Sequence, residues 1–138
     1  LLFAGGAAGK FICGILAERF GIISMVISTE ALTAVGILAL LWTSSPVILI
    51  LLPLVGIVLN GTSSVLYATV AEIISPGGRS RGYGLYYAST QSFGALSPMI
   101  FGLVTDSFGL SFTLLATTLM ALVTIPLSKF LVIERKKV

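Results

Sequence analysis

Residues 47–74 read VILILLPLVGIVLNGTSSVLYATVAEII, a run in which the only charge, Glu72, stands near the end. At 1.5 Å per residue a helix of that length reaches ~42 Å. The hydrocarbon of a bilayer is ~30 Å thick, so the segment can cross it with room to tilt. The rest of the chain repeats the theme. Apolar segments are expected at 1–17, 22–43, 83–104 and 110–133, around this one at 47–74. Turn chemistry separates them: Glu18-Arg19-Phe20-Gly21, Ser44-Ser45-Pro46, the stretch from Ser75 to Gly82, and Thr105-Asp106-Ser107-Phe108-Gly109. Residues 134–138 form a polar tail. Loops this short force neighbouring helices to run antiparallel. The fold class expected is an all-α membrane protein, a polytopic transmembrane helical bundle.

Composition agrees. Of 138 residues 57% are hydrophobic and 9% charged, with mean hydropathy +1.11. Soluble domains carry about 25% charged residues. With no His, imidazole metal sites and His acid–base chemistry are excluded. The single Cys13 rules out an intrachain disulfide and reads as a small packing residue. The first residue is Leu1, inside an apolar stretch, so the N-terminus reads as a cut edge.

The net charge of +3 is an orientation signal. Arg19 lies in the first loop, Arg79 and Arg81 in the third, and Arg135, Lys136 and Lys137 in the tail. An alternating path puts those three regions on one face, and Lys129 can snorkel to it. The loops around Ser44 and Asp106 hold no Lys or Arg. The positive-inside rule makes the basic face, with the C-terminus, cytoplasmic. A nucleic-acid footprint is not expected.

An internal repeat is also present. Residues 6–21, GAAGKFICGILAERFG, align without gaps on 94–109, GALSPMIFGLVTDSFG. Gly6, Ala7, Ile12, Gly14, Phe20 and Gly21 are identical to their partners. Chance likeness between Gly- and Ala-rich helices is the bland alternative. The two copies end on opposite faces, however, as inverted repeats do in secondary transporters. Gly5-x-x-x-Gly9 and Gly94-x-x-x-Pro98-x-x-x-Gly102 are spaced for close helix approach.

The stretch from Gly14 to Gly21, with Glu18 and Arg19, resembles the glycine-x-x-x-acid-arginine-x-glycine loop signature of the major facilitator superfamily. Ala71 to Pro76 followed by Arg79-Ser80-Arg81-Gly82 resembles the pattern that ends that family's tenth helix, and Gly94 to Gly102 its eleventh. Ile22-Ile23 stand where two basic residues are usual, which fits the second-half copy. The resemblance implies helices eight (cut) to twelve, a C-terminal bundle with inverted helix triplets whose N-terminal bundle belongs to the same protein.

Three groups of residues are candidates for function. Gly14, Glu18, Arg19, Gly21, Glu72, Arg79 and Arg81 lie on the expected cytoplasmic face. There they form a gate of charge pairs, or they are interfacial charges worth ~0–1 kcal/mol a pair. Lys10 and Glu30 lie at similar depth inside the membrane, where charges are paired or functional. They read as a bridge, as separate groups for proton coupling or anionic substrate, or as snorkelling side chains. The third group is two polar stripes at helical spacing: Pro53, Gly56, Asn60, Ser64 and Tyr67, and then Tyr83, Tyr87, Gln91, Gly94 and Pro98. They line a solute path, as the resemblance implies, or they pack between helices. Pro53 and Pro98 each remove a backbone hydrogen bond and are candidate bends.

The resemblance implies alternating access to a midplane site, in an integral protein of a plasma membrane of the bacterial inner-membrane kind. The partners expected are the lipid bilayer, a small organic solute and a driving gradient, with protons the candidate ion. No cofactor, metal or nucleotide motif is visible. Efflux is favoured because no strongly charged cavity is apparent. Uptake by the same mechanism and a non-transporting membrane scaffold are the alternatives. A membrane-embedded enzyme would need convergent catalytic groups, and neither His nor a workable acidic pair is present.

Overall fold

A computed structural model describes residues 1–43 and 45–135. Five α-helices follow one another: α1 (Leu2–Phe20), α2 (Ile22–Trp42), α3 (Ser45–Ile73), α4 (Arg79–Phe108) and α5 (Leu110–Arg135), with a 3₁₀ turn at Pro76–Gly78 before α4. Among the described residues there is no strand. Among those residues, three helices are long and apolar enough to cross a membrane, over Ile22–Trp42, Pro46–Ile73 and Leu110–Phe130. The other two have the length but are less apolar. α1 carries Lys10, Glu18 and Arg19 in 19 residues, and α4 is rich in Gly, Ser and Tyr.

The expected turns are shorter in the structure. Glu18-Arg19-Phe20 and Thr105-Asp106-Ser107-Phe108 are helical, and each helix stops at one glycine. Gly21 has φ 86° and ψ 145°, and Gly109 has φ 85° and ψ 162°, conformations open to glycine alone. The Gly21 N–H bonds the Ala17 carbonyl at 3.0 Å, and the Gly109 N–H bonds Thr105 at 2.8 Å. These glycines are partners in the sequence repeat, and they end their helices with the same local geometry. α4 begins four residues earlier than expected, because the 3₁₀ turn feeds directly into it at Arg79. The Ser44 turn and the tail residues Lys136 and Lys137 lie outside the described residues.

Packing begins with glycine. α1 lies along α3, and a Cβ at Gly5 would strike the Pro53 carbonyl, one at Gly9 the Ile57 carbonyl, and one at Gly56 the Leu2 carbonyl. Gly6 makes room for the Asn60 side chain and Gly61 for the Cys13 thiol. In lipid, helix association relies on such close backbone approach. The seam continues into a core of Cys13, Ala17, Ile22, Val26 and Val65, with Met25 and Leu66 against it. α3 also packs on α2, and α2 on α5. No residue of α4 is buried. Gly94 and Gly102 have nothing within 4 Å of their Cβ positions, so the small-residue spacing on α4 makes no close helix contact among the described residues.

Candidate functional site

Where α1 ends, α2 begins and α3 approaches its own end, a cleft of about 400 Å³ opens. Gly14, Glu18, Gly21, Ser64 and Glu72 line it, with Ala17, Ile22, Val65 and Ala68 as apolar walls. Antiparallel connection by a one-residue turn brings α1 and α2 together here. The alignment of α3 with α1 along the glycine seam then brings Glu72 to the same end as Glu18. Ser64, Ala68 and Glu72 recur every four residues, so they share one face of α3. Gly14 has nothing within 4 Å of its Cβ position and keeps one wall low. Two carboxylates, a hydroxyl and bare backbone thus face one aqueous-sized space.

The arginines expected to complete this group lie elsewhere. Arg19 sits over the adjacent Phe20 ring, 5.8 Å from its centroid. Arg79 and Arg81 stand exposed on the first turn of α4, and neither lines the cleft.

The α3 stripe divides. Pro53, Gly56 and Asn60 belong to the seam with α1, and the Asn60 side-chain amide donates to the Gly56 carbonyl at 3.3 Å. This part of the stripe therefore packs against α1. Ser64 reaches the cleft. Tyr67 turns to α4 and meets all three other tyrosines of the chain, with ring centroids at 5.9 Å for Tyr83, 4.9 Å for Tyr86 and 6.5 Å for Tyr87. The Tyr83 hydroxyl donates to the Tyr67 carbonyl at 3.2 Å. Tyr87 remains more than half exposed, and Gln91 is exposed one turn further along α4. Pro53 and Pro98 both lie inside their helices, as does Pro126.

Lys10 and Glu30 form no ion pair among the described residues. Depth was the wrong criterion, because α1 packs mainly on α3 and little on α2. Lys10 points out from the exposed side of α1, whereas Glu30 is half-buried and its carboxyl group meets the Thr62 hydroxyl of α3. Sequence reasoning missed Thr62, Thr29 and Tyr86. Only the spacing of Tyr86 from Tyr83, three residues along one helix, could have revealed it. No group of three His, Cys, Asp or Glu side chains is placed to hold a metal ion among the described residues.

Searches of curated proteins and of solved structures gave no match. The family model of the Major Facilitator Superfamily matches residues 1–138. With a membrane-type helical bundle, a charged cleft at the signature loop and this match over its whole length, the chain belongs to the major facilitator superfamily.

Proposed function

We propose that this chain is the C-terminal helical bundle of a secondary transporter that exports a small organic solute, driven by an ion gradient. The observation that carries the reading is the cleft. It gathers Gly14, Glu18 and Gly21 of the signature loop with Ser64 and Glu72 of α3, so movement between α1 and α3 must pass through it. Two acids at one helix junction repel when close. A cation bound between them, or an arginine swung in from Arg19, Arg79 or Arg81, would hold the junction shut. Release of that cation opens it, and a bias of a few kcal/mol suffices for such a two-state gate. Ser64, Tyr67, Tyr87 and Gln91 offer hydroxyl, aromatic and amide groups to an organic solute. Pro53 and Pro98 supply bends about which α3 and α4 flex. The cytoplasmic end is the one bearing Glu18, Arg19, Glu72 and Arg79, in the plasma membrane of a bacterial-type cell, and the C-terminus shares it. The partner bundle is the N-terminal half of the same protein.

Glu72→Gln tests the gate. In proteoliposomes of the full-length protein, solute flux is expected to fall roughly tenfold, the effect of ~1.4 kcal/mol on a limiting step, at unchanged protein level. Unchanged flux would remove Glu72 from the gate.

A further inference from the structure

Beside the connection from α3 to α4 runs a groove of about 440 Å³, which shares no lining residue with the charged cleft. Val70 and Ile73 of α3 form one wall, and Leu85 and Tyr86 of α4 the other. Gly82 stands at its outer end, where a Cβ would strike the Ile74 side chain. Thr90 marks the inner end. The eight residue steps from Gly82 to Thr90 make ~12 Å of helix. One leaflet of a ~30 Å hydrocarbon layer is ~15 Å deep. The groove therefore runs about the depth of a single leaflet, starting from the membrane end of α3.

Its walls suit hydrocarbon. Leu85 is 70% exposed and Ile73 39%, so apolar side chains stand open along both sides. The Tyr86 ring is held edge-on to Tyr67 at 4.9 Å, which stiffens the α4 wall. The Thr90 hydroxyl gives its hydrogen to the Tyr86 carbonyl of its own helix at 3.0 Å, and so offers none to a polar ligand. Charge gathers at the mouth. Arg79 precedes Gly82 by three residues, which places both on one face of α4. Arg81 stands on the same first turn, and both arginines are exposed. α4 holds no acid before Asp106 at its other end, and Glu72 of α3 lines the cleft instead.

We infer that this groove binds an anionic phospholipid, with one acyl chain between α3 and α4 and its phosphate at Arg79 and Arg81. A chain lying in the groove brings its headgroup to the membrane surface where the two guanidinium groups stand. Guanidinium groups match phosphate with paired hydrogen bonds. Two cations on a turn without an acid favour a headgroup of net negative charge over a zwitterionic one. On the orientation proposed above this is the cytoplasmic leaflet, whose anionic lipids attract basic residues beside membrane helices. α4 buries no residue against the rest of the bundle. A lipid chain in the groove gives it an apolar neighbour that the described helices do not supply.

Photo-crosslinking of the full-length protein in vesicles tests the site, with phosphatidylglycerol or phosphatidylcholine carrying a diazirine in the acyl chain. Labels are expected within 70–74 and 85–90. Phosphatidylglycerol should label there at least about fivefold more, the effect of one arginine near a membrane surface. Arg79→Gln with Arg81→Gln should bring it down to the phosphatidylcholine level. Ser89→Phe obstructs the groove, which Ser89 also lines, and should lower labelling by both lipids at unchanged charge. Lys129→Gln removes an exposed cation from α5 and should leave the preference intact. If the double arginine variant fails to fold, the wild-type preference and Ser89→Phe decide. Equal labelling by the two lipids, equal loss in Lys129→Gln, or labels spread evenly along α4 would mean unselective lipid contact. No label at the groove would mean that the N-terminal bundle or a second copy covers it. Any of these outcomes overturns the inference. Labelling is read without flux, so this site and the gate proposed for the same arginines stand or fall separately.

Discussion

Gly9→Leu is expected to abolish the folded bundle, with the full-length protein recovered as aggregate on detergent size exclusion. A first side-chain atom at Gly9 runs into the Ile57 carbonyl, which is backbone and cannot swing aside. The helices must part, and parting them also separates Gly5 from Pro53 and Gly56 from Leu2. Overpacking a core costs ~1–3 kcal/mol when side chains can give way. Here none can, and the loss should exceed about 3 kcal/mol, a large share of the ~5–15 kcal/mol that holds a protein folded. Leucine is a good helix former, so a weakened helix would not explain the result. The control lies one turn and a half further along. Gly14→Ala adds a methyl group where nothing stands within 4 Å. It should leave elution and stability within about 1 kcal/mol of wild type, since only backbone entropy changes. Equal behaviour of the two variants would mean that α1 does not pack on α3 through its glycines.

The same seam shows how far the sequence could be read. The five helices were legible because apolar length leaves little else to form in lipid. The Pro53–Gly56–Asn60 stripe was legible as one face of α3. Its neighbour was not, because periodicity fixes which residues share a face and says nothing of what lies opposite. A Lys10–Glu30 bridge is absent among the described residues for the same reason: counting residues from a turn gives depth, while pairing depends on rotation about two helix axes. α3 stands against α1 and draws Glu30 to Thr62. Arg79 and Arg81 were counted with the gate from sequence position alone, and the early start of α4 carries them past the cleft. Glu18, Gly21 and Glu72 came together as expected because each ends or begins a helix at the same end of the bundle. Helix ends are fixed by local chemistry, and local chemistry is what a sequence displays.

Gly21→Ala and Gly109→Ala should each destabilise the protein by about 1–3 kcal/mol, the cost of holding a side-chain-bearing residue in a conformation reserved for glycine. Neither position has a neighbour within 4 Å of the added methyl group, so collision plays no part and the whole effect is backbone strain at φ 86° and 85°. The two losses should add, because the sites end different helices at opposite ends of the bundle and share no partner. Thermal unfolding of the single and double variants checks both claims. A stabilising alanine at either site, as at an ordinary helical glycine, would show that the chain does not turn there in this way. Flux should tell the two apart. Strain at Gly21 displaces Ile22, which is buried in the core and walls the cleft beside Glu18. Strain at Gly109 falls between Thr105 and Thr113, whose hydroxyls meet at 2.8 Å to join α4 to α5 at the far end. Slower transport is therefore expected from Gly21→Ala beyond what its stability loss explains, and from Gly109→Ala only the stability loss. Equal slowing by both would detach the signature turn from the gate and leave it a structural hinge.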